Sequence, residues 1–231
     1  MTAAVSAELE PVLALIARLP QRRIIYSCGV GDSDPAGLPE VMLALAGRGD
    51  AALPGGAQPV DVLLHDYFPI SPSYTLLDAD GVWRGLPRAD TADPAHHWQG
   101  TDLAHWQARW GAIMAAANRI EVFSEASAAL VAQAYPDIAG RIAVCPHRLP
   151  APPPRMQPGR ARDGVPVVGV LGNIGGHKGA AIVAQLSRDL ARTGAARLVV
   201  IGRLAPEVSL AAPSRVHGPY RIEDLPGLVA R

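Results

Sequence analysis

The sequence predicts an α/β fold of two parallel-sheet domains, the second incomplete, from three observations. Strand-like apolar runs alternate with helical patterns of roughly ten to fifteen residues, as in parallel sheets joined by crossover helices. A proline-dense stretch at 147–166 interrupts that alternation once. After it the alternation resumes for three strands and two helices and stops at Arg231. The domains are therefore placed at 1–148 and 165–231, with a proline-rich linker over 149–164.

Each element has its own warrant. Over 8–19, Leu9, Val12, Leu13, Ile16 and Leu19 recur at helical spacing, and Pro20 ends the pattern. Residues 23–28 read as a strand closed by Gly29 and Gly31. Residues 38–46 read as a helix with Pro39 tolerated in its first turn. A loop rich in Gly, Pro and Ala follows at 50–59. The plainest strand of the first half is 60–65, which runs into His65-Asp66-Tyr67. From Pro69 to Gly100 the pattern is irregular, and a segment of that length in a compact domain is usually functional or mobile.

Thr101 or Asp102 caps a helix reaching about Asn118, with Trp106 and Trp110 on one face at i, i+4 spacing. Core packing is the favoured reading of that pair, and stacking on a ligand the alternative. A strand at 120–123, a helix capped by Ser124 and a strand at 141–145 complete the first domain. Beyond the linker come a buried strand at 165–171, a glycine-rich turn at 172–176 and a helix at 178–192 closed by Gly194. A strand at 197–201 closed by Gly202, a short strand and turn at 216–220, and a helix from Glu223 follow.

Composition narrows the function classes. Lys plus Arg and Asp plus Glu are 21 each, so no basic footprint for nucleic acid is present. Cys28 and Cys145 both fall in strand-like runs and read as buried structural thiols. A disulfide scaffold is not credible at that count, so a reducing, cytoplasmic compartment is expected. The N-terminus lacks the pattern of a signal peptide. No apolar stretch approaches the ~20 residues of a membrane span, so the chain is expected to be soluble or at most peripheral to a membrane.

The informative segment is Gly172-Asn173-Ile174-Gly175-Gly176-His177-Lys178-Gly179, which joins a strand's carboxyl end to a helix N-terminus. Ligands in open α/β sheets bind outside those strand ends. Glycines let the backbone approach a ligand, and first-turn amides with the helix dipole favour an anion. Lys178 adds a positive charge there. Phosphate binding is one reading of these parts, and a merely tight strand-to-helix turn is the other. A Walker A loop does not fit, because His177 separates Gly176 from Lys178 and Gly179 follows where Ser or Thr is required. No register supplies Gly-x-Gly-x-x-Gly either.

The segment from Val168 to Gly179, then Leu198-Val199-Val200-Ile201-Gly202 and Val216-His217-Gly218-Pro219-Tyr220, resembles the donor domain of family 4 retaining glycosyltransferases of the GT-B fold. In the first half, Leu64-His65-Asp66-Tyr67-Phe68-Pro69-Ile70-Ser71-Pro72, Leu76-Leu77-Asp78-Ala79-Asp80-Gly81, Val122-Phe123-Ser124-Glu125 and Val144-Cys145-Pro146-His147 resemble the acceptor domain of a bacterial subgroup. The resemblance covers roughly 20–231 and implies two Rossmann-like domains, a nucleoside-diphosphate sugar on the second, an acceptor on the first, and chemistry in the cleft between. It implies no cofactor and normally no metal. The acceptor would be a polysaccharide intermediate or a lipid-linked glycan. By analogy Gly172, Asn173, Gly175, Gly176 and Lys178 contact the diphosphate, while Gly218 and Tyr220 fall where relatives hold base or ribose. His65, with Asp66 beside it, matches a position facing the reacting sugar.

The chain departs from that pattern in places. Asn173 stands where many relatives carry a phosphate-gripping Arg, and the chain ends before the segment that carries a pair of glutamates. A non-catalytic remnant that binds nucleotide weakly or not at all is therefore the alternative expectation. An unrelated phosphate-binding α/β protein, such as a sugar-phosphate epimerase, is a third. His65 could equally be a hydrogen-bonded core histidine, and Asp66 could simply cap the turn after it. His96, His97 and His105 lack acidic or Cys partners at ligand spacing and read as a solvated loop rather than a metal cluster.

Overall fold

The computed structural model describes residues 9–148, 152, 154–155 and 164–229. Most of the linker expected at 149–164 lies outside the described residues. The chain divides into two compact units, Met1–His147 and Arg148–Arg231. Each is an α/β unit built on a parallel sheet.

The first unit carries β1 (Ile24–Tyr26), β2 (Val60–Leu64), β3 (Arg119–Val122) and β4 (Ile142–Val144) in the order β1-β2-β3-β4. Its helices are α1 (Leu9–Ala17), α2 (Leu38–Leu45), α3 (Leu103–Ala116) and α4 (Glu125–Ala134). Local chemistry sets the helix starts. Asp102, in an extended conformation, accepts the His105 amide at 2.8 Å and so caps α3. Ser124 accepts the Ser127 amide at 3.1 Å and caps α4.

One face of this sheet holds the core. Ile24 and Tyr26, then Val60, Val62 and Leu64, then Ile120 and Val122 alternate inward against Trp106, Trp110, Ile113 and Met114 of α3. The two tryptophans are fully buried, as packing residues. Phe68 meets the Trp106 ring edge-on with centroids 5.1 Å apart, and the indole N–H donates to the Phe68 carbonyl at 2.9 Å. The alternate positions face the other way. Ile25 is 59% exposed and Ala143 is exposed, while Asp61 pairs with Arg23 and Glu121 with Arg119. Parallel sheets are usually covered by apolar packing on both faces. Here two ion pairs occupy much of the second face.

The stretch after β2 is irregular, as its prolines suggest, and heavily hydrogen-bonded. Ser71 and His96 are both buried, with Ser71 Oγ 2.8 Å from His96 Nδ1. Asp78 accepts the Asp80 and Val82 amides and pairs with Arg84. The expectation that His96 is solvated is therefore corrected. A buried serine 25 residues away satisfies one ring nitrogen, and no short-range pattern announces it. His97 is half-buried with Nε2 2.8 Å from the Thr91 carbonyl, and His105 is exposed beside Asp102.

The second unit carries β5 (Val167–Ile174), β6 (Arg197–Leu204) and β7 (Arg215–Gly218) in the order β5-β6-β7. α5 (Ala180–Thr193) packs with Leu198 and Val200, and the short α6 (Leu225–Val229) packs with Val199 and Ile201 on the opposite face. In both sheets strand order follows chain order, so among the described residues neither sheet has the reversal that marks a switch point. No helix among the described residues is long and apolar enough to cross a membrane.

Candidate functional site

The glycine-rich turn is displaced from its expected place. β5 runs on to Ile174, so Gly172 and Asn173 are strand residues paired in register with Gly202 and Arg203. The turn proper is Gly175 followed by a 3-10 turn over Gly176–Lys178, and α5 begins only at Ala180. Gly179 causes the offset. At φ +81° it sits in the left-handed region, which ends the 3-10 turn and opens the helix. Lys178 therefore precedes α5 instead of lying in its first turn.

The hydrogen bonds follow. The Lys178 and Ala180 amides donate to the Gly175 carbonyl at 3.0 and 3.2 Å, and the Gly179 amide donates to the Gly176 carbonyl at 3.0 Å. Those donors are spent inside the turn. By helix geometry, the amides of Ala181 and Ile182 in the first turn of α5 are left for an incoming acceptor. Lys178 and Asn173 are exposed, and Ile182 is 73% exposed. A cation, open amides and a glycine backbone at a strand's carboxyl end can together receive an anion.

Gly172, Gly202 and Gly218 lie in one row across the three strands. At Gly202, with φ +135°, a Cβ would stand 2.0 Å from the Gly172 carbonyl oxygen, so the two strands approach there as only glycine permits. Over Gly172 and Gly218 the space is open. The sequence marks Gly202 only as the close of a strand; its cross-strand role depends on register. Tyr220 is half-buried against Val199, Ile201 and Leu225, on the sheet face away from α5.

In the first unit the carboxyl ends of the strands gather a second group. His65 follows β2, Phe123 follows β3 and His147 follows β4, and their rings lie nearly parallel. Centroids are 4.5 Å apart for His65–Phe123, 3.9 Å for Phe123–His147 and 5.4 Å for the two histidines. His65 is exposed, so it is not a core histidine. Sequence reasoning singled out His65 alone; the cluster arises because parallel register brings three strand ends side by side.

Asp66 does cap its turn, accepting the Phe68 amide on Oδ1 at 2.9 Å. Its other oxygen lies 3.9 Å from the Cys28 thiol. Burial raises the Asp66 carboxyl above its ordinary pKa, against the opposing pull of the Phe68 amide and the His65 charge. Burial, with Asp66 and Cys28 close by, drives the Tyr26 phenol far upward. Cys28 is exposed and Cys145 partly so, which corrects the expectation of two buried thiols. β1 ends at Tyr26, so Cys28 already belongs to the strand-end surface. Among the described residues no group of three metal-ligating side chains is assembled.

Comparison with protein-family models, curated proteins and solved structures gave no match to this chain. Fold and strand-end geometry define a class: an α/β protein with parallel sheets of four and three strands, each compatible with a Rossmann-like domain.

Proposed function

We propose that the chain is a GT-B-like glycosyltransferase of the retaining, family 4 type, acting on a nucleoside-diphosphate sugar and a polysaccharide or glycolipid acceptor. The observation that carries this reading is the Gly175–Lys178 turn at the carboxyl end of β5, with Lys178 exposed and α5 starting immediately after it. In the transfer, the bond between the sugar's anomeric carbon and the diphosphate oxygen breaks and an acceptor hydroxyl oxygen takes that carbon. The hydroxyl proton passes to a base or to water. Charge developing on the departing diphosphate needs fixed donors aimed at it. Lys178 and the first-turn amides of α5 fill that role, with Gly172, Asn173, Gly175 and Gly176 giving backbone access. Gly218 and Tyr220 are proposed for base or ribose, and His65 and Asp66 for the reacting sugar and acceptor.

Thermal unfolding with UDP-, GDP- and TDP-sugars tests the proposal. A ligand at 100 times its Kd stabilises by about 2.7 kcal/mol. One nucleotide sugar should raise the melting temperature, and Lys178→Ala should abolish most of the rise. Stabilisation that persists unchanged in Lys178→Ala overturns the site assignment.

A further inference from the structure

A cavity of about 500 Å³ lies within the irregular segment of the first unit, lined by Asp78, Arg84, Arg88, Asp90, Asp93 and His96 among others. Its volume is within the range of small-molecule sites, roughly 300–1,000 Å³. We propose that this cavity binds a neutral saccharide. The inference is drawn from the lining itself and does not require the transferase reading.

The hydrogen-bond inventory of the walls selects the ligand class. Asp78 is committed to the Asp80 and Val82 amides and to Arg84 Nε, a contact that does not use the terminal nitrogens of Arg84. Asp93 is committed to the Ala79 and Ala95 amides. Arg88 holds Asp90 through Nε and Nη2, which leaves its Nη1. Ser71 engages His96 Nδ1 at 2.8 Å, which leaves Nε2. Burial lowers the His96 pKa, which favours a neutral ring able to donate or accept there.

Two guanidiniums against three carboxylates leave the walls one unit negative, with every guanidinium already paired. An anionic ligand is disfavoured by that balance. A bare cation is disfavoured too, since each carboxylate already accepts at least two N–H donors and two guanidiniums stand among them. Hydroxyl groups suit such a wall, because each can accept from a spare N–H and donate to a remaining carboxylate lone pair.

Saturation-transfer NMR on the full chain tests this with methyl α-glucoside, methyl α-mannoside and methyl α-rhamnoside, against glucuronate and inorganic phosphate. At least one neutral glycoside should show saturable transfer. Arg88→Ala/Asp90→Ala, which removes an exposed ion pair, should weaken it by about fivefold or more without changing the melting temperature. Lys178→Ala should leave it unchanged. The proposal is overturned if no neutral glycoside binds, if only glucuronate or phosphate binds, or if the Arg88/Asp90 variant binds like the parent. Because Lys178→Ala separates the two sites, nucleotide-sugar binding and glycoside binding can each fail alone.

Discussion

The first unit packs two fully buried tryptophans, with Ile113, Met114 and seven inward strand side chains, beneath one sheet face. The second divides its apolar contacts into two small clusters on opposite faces, and leaves Val167, Val168 and Leu171 of β5 exposed. Buried apolar area is the main source of stability. The contrast therefore teaches that the first unit is the robust framework and the second a lightly anchored one, open where the glycine turn lies. Regions with few buried contacts are also those that ligands order most readily.

Trp110→Ala strikes the framework and carries the largest expected effect. It empties a site packed edge-on by Tyr26 at 5.0 Å, and should cost about 3–5 kcal/mol. Calorimetry should show that loss in the higher of two transitions; a loss confined to the lower one breaks the contrast. Gly202→Ala strikes the second unit. The added Cβ collides with the Gly172 backbone at a φ that L-residues rarely adopt, for an expected cost of about 1–3 kcal/mol seen in the lower transition. Asp102→Ala removes the cap of α3 and should cost ~1 kcal/mol in the higher transition.

A smaller effect is tied to pH. His96 has its folded pKa lowered by burial, so the unfolded chain binds its proton more readily. Stability then rises with pH, and the loss begins as pH falls through the ordinary value of 6.5. Hydrogen-exchange protection factors, corrected for the intrinsic pH dependence of exchange, should fall across residues 71–96 on acidification below that value, and His96→Gln should flatten the dependence. An unchanged profile would remove His96 from the account.

Much of this was legible in the chain. Thr101 or Asp102 reads as the cap of α3, and Asp102 supplies it; Ser124 reads as the cap of α4, and the tryptophan pair reads as core packing. The alternation of strands and helices gave the α/β class. What stayed hidden depends on partners distant in sequence. Gly172 reads as the start of the glycine-rich turn and Gly202 as the close of a strand, yet they pair across adjacent strands inside longer ones. Cys28 lies in an apolar run but beyond the point where β1 stops pairing. Phe123 and His147 join His65 only because β2, β3 and β4 end side by side. Ser71 and His96 meet through a long irregular path without periodicity.

Backbone amide NMR of the full chain, titrated in turn with UDP, GDP and TDP, tests the central claim most directly. The largest shifts should fall on Gly176, Lys178, Gly179, Ala181 and Ile182 with at least one nucleotide, and should vanish in Lys178→Ala. Silence at those amides with all three nucleotides, or shifts confined to the first unit, would contradict a diphosphate seat at the opening of α5.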